Sequence, residues 1–205
     1  MFRLIRQVVV VSVVAWIGVP TAAVPHAFAE PALTFVLQAF AAEEHASKKR
    51  GHLIFRTGHT ETRYSFERVL PDRLHMYSGD ADREQELYII GDQMYQKTAT
   101  GWIKTRAAPR LSTPSSVVGL FENRLENIRE QNPISVDGAE QRVFEGTISW
   151  FAGRNRNQGE IRILIEATSA LPHLLTFNGL CGTTECAFEY AITYDPGISI
   201  EAPLP

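Results

Sequence analysis

The chain has 205 residues, with 20 Lys and Arg against 23 Asp and Glu, for a formal charge of −3. That balance argues against a general affinity for nucleic acid or anionic lipid headgroups. The length suits one domain with a sizeable core.

Met1–Ala29 has the three parts of a secretory signal. Arg3 and Arg6 form the basic start, and Val8–Val19 (VVVVSVVAWIGV) is an apolar run short of the ~20 residues a membrane span needs. Ala27-Phe28-Ala29 gives a small-x-small cleavage pattern, so cleavage is expected before Glu30. No cysteine lies near the cut, which excludes a lipid-modified N-terminus. The signal holds two arginines and no acid, so its removal makes the remaining chain more acidic. That chain, 30–205, is expected to be a single exported domain in the periplasm, monomeric and soluble.

Pro31–Ala46 is predicted to be helical, because Leu33, Val36, Leu37, Phe40 and Ala41 recur at spacings of three and four. Lys48, Lys49, Arg50 and then Gly51 read as the end of that helix, basic and conformationally permissive. From Gly51 the period becomes two: Leu53/Phe55, Tyr64/Phe66, Leu74/Met76 and Leu87/Ile89 occupy alternate positions in short segments. Turn residues separate them at Pro71-Asp72, Ser78-Gly79-Asp80, Gly91-Asp92 and Thr100-Gly101. The expected structure is a β-meander.

Ser112–Ile128 is predicted to interrupt it with a second helix, capped by Thr113 and Pro114 and striped by Val117, Phe121, Leu125 and Ile128. Strands then resume through Arg142–Phe151, Ile161/Ile163/Ile165, Leu174–Phe177, Ala187–Tyr194 and Ile198–Ala202. Cys181 and Cys186 flank a hairpin tip, and an exported chain would oxidise them to a disulfide. The fold class is therefore α+β: a curved antiparallel sheet of about ten strands, with the two helices covering its concave face.

Motifs for chemistry are missing. There is no Gly-x-Ser-x-Gly elbow, P-loop, dinucleotide turn or His-Glu-x-x-His, and His45, His52, His59, His75 and His173 fall at no metal-ligand spacing. His52 and His75 alternate out of phase with the apolar residues and are read as solvated. Asp72, Asp80 and Asp82 belong to turns. The sequence thus calls for no enzyme, no cofactor and no metal.

Four stretches resemble the LolA-like, LppX/LprG-like superfamily of periplasmic lipoprotein and lipid carriers. They are Tyr64 through Pro71-Asp72-Arg73-Leu74, Tyr88 through Gly91-Asp92 to Gly101-Trp102, Ile165-Glu166 through Leu171-Pro172-His173, and Ile192 through Tyr194-Asp195 to Pro203. The order of elements resembles the superfamily over nearly the whole exported chain. The resemblance implies a half-barrel sheet closed by helices around an apolar cavity for acyl chains. Cavity candidates are Leu53, Phe55, Tyr64, Phe66, Leu74, Met76, Leu87, Ile89, Val117, Phe121, Leu125, Ile163 and Ile165. The implied partner is a lipid or acylated protein, with room for transient contact to a membrane or an envelope protein. A sensor or protein-interaction domain on the same fold is the alternative, and an enzyme on it is a third reading.

Overall fold

The computed structural model describes residues 31–80, 83–107, 124–152 and 155–203. Helix α1 (Pro31–His45) forms on the spacing the sequence shows, and it buries Val36, Ala39, Phe40 and Glu43. Among the described residues, eleven strands follow. They are β1 (Lys48–Thr57), β2 (Thr60–Val69), β3 (Arg73–Asp80), β4 (Arg83–Ile90), β5 (Gln93–Thr98), β6 (Gly101–Arg106), β7 (Leu125–Val136), β8 (Ala139–Ala152), β9 (Asn155–Glu166), β10 (Pro172–Cys181) and β11 (Thr184–Tyr194).

All eleven pair antiparallel in one sheet of order β6-β5-β4-β3-β2-β1-β11-β10-β9-β8-β7. Two meanders, β1–β6 and β7–β11, thus grow in opposite directions from a seam where β1 pairs with β11. The sheet is open, with β6 and β7 as its edges. These two strands are consecutive in the chain, so the connection between Ala107 and Arg124 joins one edge to the other. Tight turns follow the sequence signals: Asp137 and Gly138 both take positive φ (52° and 82°), the requirement of a type I′ hairpin.

Every odd–even alternation in β1–β4 resolves to two faces. On the inner face, Leu53 lies opposite Tyr64 and Tyr190, Phe66 opposite Met76, and Met76 opposite Leu87. α1 lies against β7 and β10, over the C-terminal meander. There Val36, Ala39 and Phe40 join Phe144, Ile161, Ile163, Ile165, Leu175 and Phe177 in one closed core. Gly159 and Gly179 face each other across β9 and β10, where a Cβ on either would sit 2.2–2.3 Å from a backbone oxygen. That close approach admits no side chain.

Several expectations are corrected. The sheet has eleven strands, against about ten expected. The predicted helix Ser112–Ile128 ends inside β7: Leu125 and Ile128 are strand residues, while 108–123, with Val117 and Phe121, lie outside the described residues. Their helical spacing has another cause. Asn127 takes φ 57° and the β7–β8 register shifts between Glu126 and Arg129, a bulge that turns residues three apart onto one face. Both side chains are buried. Lys48–Arg50 open β1 rather than closing α1. Ile198–Ala202 forms no strand, although Ile198 and Ile200 are buried and Arg73 donates to the Ile200 carbonyl at 2.6 Å. Among the described residues no helix is long and apolar enough to cross a membrane.

Candidate ligand-binding face

The inner face divides in two. Under α1 it is sealed: Phe144, Ile163, Ile165 and Phe177 have no exposed surface. Beyond α1, on β1–β4, the same face carries Leu53, Phe55, Tyr64, Phe66, Leu74, Met76 and Leu87, all half-buried. Among these residues only the neighbouring Ile89 is fully covered, at 2% exposure. Cross-strand register makes this second half a continuous apolar surface, extended by Met94 opposite Ile89 on β5.

The sheet therefore brings eleven of the thirteen sequence-predicted cavity residues onto one face. Leu125, Ile163 and Ile165 fill the closed core beneath α1. Ile89 and the seven half-buried residues form the open half.

Residues outside the cavity candidates line the seam between the halves. Phe188 stacks on Phe177 at 5.3 Å, and Tyr190 stacks on Phe66 at 5.5 Å. Gly51 makes room for the second stack, since a Cβ there would meet the Ala191 carbonyl at 2.0 Å and the Phe66 ring at 2.8 Å.

At one end of this seam lies a buried charge pair. Lys49, 2% exposed, donates to the Glu43 carboxylate, which has no exposed surface. The Tyr190 hydroxyl stands 3.5 Å from the same oxygen. Burial pushes the Lys49 ammonium below its usual range, while the Glu43 charge pulls the other way. Burial, and after it the Glu43 charge, pushes the phenols of Tyr190 and Tyr194 well above theirs. The sequence reading missed both members of the pair; the signals that point to them are Glu43 following Phe40 by three and Val36 by seven, and Lys49 alternating with Gly51, Leu53 and Phe55.

The outer face is polar and ion-paired. His52 Nε2 meets Glu189 at 3.0 Å, and His75 lies between Glu67 at 3.8 Å and Glu86 at 3.1 Å. Both histidines sit on the expected face, paired there rather than simply solvated. Burial raises the Glu86 carboxyl, but hydrogen bonds from Lys97, His75 and Tyr88 outweigh it and hold the group below its usual range. Shallow hollows on the molecule include one near Arg50, His52, Ser65, Glu67, His75 and Tyr77. Among the described residues no group of three or more His, Cys, Asp or Glu side chains is placed to hold a metal ion. Cys181 and Cys186 form the expected disulfide across the β10–β11 hairpin.

No family model matches the sequence, and no curated protein matches it. Solved structures do match the fold. LppX, a lipoprotein of Mycobacterium tuberculosis, superposes with a TM-score of 0.59 at 14% identity, covering 84% of this chain and all of its own. LprF from Mycobacterium bovis gives 0.57 at 12% identity, covering 85% of this chain and 97% of its own. MucB gives 0.51 at 10% identity, over 84% of this chain and 62% of that one. At such identities the likeness is one of architecture: an open antiparallel sheet with one leading helix, the LppX/LprF fold that the sequence motifs resemble.

Proposed function

We propose that the protein is a periplasmic carrier or binding protein that shields the acyl chains of a lipid or lipoprotein on its inner face, without chemistry. The observation that supports this most is the half-buried apolar surface of β1–β4, continuous with a closed core yet not covered by α1. A soluble sheet normally buries such a face or replaces it with polar residues. An acyl chain laid along Phe55, Phe66 and Met76 would gain ~0.8 kcal/mol for each methylene removed from water. A sixteen-carbon chain gains on the order of 12 kcal/mol before the costs of association. The signal sequence Met1–Ala29 and the periplasmic site belong to the same proposal.

The reading is tested by titrating the protein with a fluorescent fatty acid. Saturable uptake is expected, weakened at least tenfold in Phe66→Glu or Met76→Glu, with α1 and the core intact by circular dichroism. No uptake, or uptake unchanged by both substitutions, would move the role to protein recognition on the same fold.

A further inference from the structure

The net charge conceals a strong local asymmetry. No acid occurs between Asp92 and Glu122, an acid-free run unmatched elsewhere in the chain after the signal. Its described part is the β5–β6 hairpin, which carries Lys97, Lys104 and Arg106 at one edge of the sheet. The opposite edge strand β7 carries Glu126 and Glu130 against Arg129, and Arg142 on β8 pairs with Glu130 at 2.7 Å. The basic hairpin thus has no counterpart at the other rim, where charges of both signs alternate.

Register sorts the hairpin's side chains. Tyr95 lies opposite Lys104, Lys97 opposite Trp102, and Gln93 opposite Arg106, so the three cations share the outer face with two aromatic rings. Met94 and Ile103 point to the inner face, where Met94 continues the apolar surface from Ile89. Ile103 is 50% exposed, and the Arg106 side chain is 85% exposed. Arg106 approaches Asp92 only to 3.9 Å, and an exposed pair at that distance holds little of its charge. Lys104 lies 5.5 Å over the Tyr95 ring. Edge strand β6 also carries none of the blunting devices of β7, which has two bulges and Pro133.

We infer that the β5–β6 hairpin docks edge-on to an anionic lipid bilayer. Lys104 and Arg106 meet the headgroups while Lys97 stays paired with Glu86 at 3.3 Å, Trp102 and Tyr95 settle at headgroup level, and Ile103 contacts the acyl boundary. The inference rests on the carrier reading and extends it. A lipid leaving the bilayer at this rim meets Met94 and Ile89 directly, with no charged surface to cross.

Co-sedimentation with vesicles tests it. The protein is expected to bind vesicles of phosphatidylcholine with about a third phosphatidylglycerol, to ignore phosphatidylcholine alone, and to release as salt rises from about 50 to about 300 mM. Each basic residue near the surface contributes about fivefold, so Lys104→Gln with Arg106→Gln should weaken binding about thirtyfold. Trp102→Ala should weaken it at unchanged charge. The charge-matched control Arg129→Gln with Arg156→Gln, away from the hairpin, should bind as the parent does. No binding to the anionic vesicles overturns the inference, as does an equal loss in the control. Retention on heparin without vesicle binding also overturns it, in favour of a soluble polyanion. A protein that takes up the fluorescent fatty acid yet ignores the vesicles keeps the carrier reading and loses only this one.

Discussion

Replacing Lys49 by Met removes one charge from a pair that has almost no solvent. The Lys49 side chain is 3% exposed and that of Glu43 is not exposed at all. The variant would leave the Glu43 carboxylate buried, with the Tyr190 hydroxyl at 3.5 Å as its remaining donor among the described residues. Breaking a buried pair in this way costs about 3–5 kcal/mol. Removing both charges, as in Glu43→Leu with Lys49→Met, is expected to be neutral or to stabilise by about 1–4 kcal/mol. With a urea slope of about 2 kcal/mol/M, the single variant should lower the unfolding midpoint by about 1.5–2.5 M and the double variant should restore it. Urea titrations followed by tryptophan fluorescence and far-ultraviolet circular dichroism measure both. A single variant within about 0.5 kcal/mol of the parent would refute the reasoning, because a carboxylate that tolerates losing its partner is not desolvated. A double variant as weak as the single one would also refute it, by showing that Lys49 matters through its packing.

The remaining predictions concern packing, pH and the hairpin. Gly51→Ala should destabilise by about 1–3 kcal/mol in thermal unfolding, since its Cβ would displace either the Ala191 carbonyl or the Phe66–Tyr190 stack. Tyr190 and Tyr194 have folded pKa values raised above the unfolded value near 10, so the folded state holds protons that the unfolded chain loses. Their stabilising contribution is complete below about pH 10 and is lost as pH rises beyond it. Absorbance at alkaline pH should therefore show these two phenols ionising together with unfolding, and earlier free titration of both would contradict that. Cys181→Ser with Cys186→Ser opens a loop closed over five residues of sequence separation and should cost about 2 kcal/mol, read as a lower urea midpoint.

The sheet was legible because its signals are local. Alternation in Leu53/Phe55 or Ile161/Ile163/Ile165 needs no knowledge of the partner strand, and Asp137-Gly138 and Gly91-Asp92 mark their turns by backbone chemistry alone. The second resemblance motif falls on strand pairs that the register confirms, Tyr88 opposite Tyr95 and Lys97 opposite Trp102, whereas Ile198–Pro203 of the fourth forms no strand. The bulge at Asn127 was not legible, since one extra residue makes a strand imitate the three-residue spacing of a helix. Division of the inner face was equally hidden. Phe66 and Ile163 read alike in sequence, and only the placement of α1 over β7 and β10 seals one and leaves the other half-open. Net charge hides placement in the same way: a sum over the chain says nothing of the acid-free run from 93 to 121.

The central claim is that the half-open inner face holds acyl chains, and native mass spectrometry of the protein purified from a bacterial envelope tests it most directly. The expected result is a mass above that of the polypeptide, falling to the bare chain on denaturation and yielding acyl lipid on extraction. A bare mass from the native protein, with no lipid in the extract and no uptake of a fluorescent fatty acid, would contradict it.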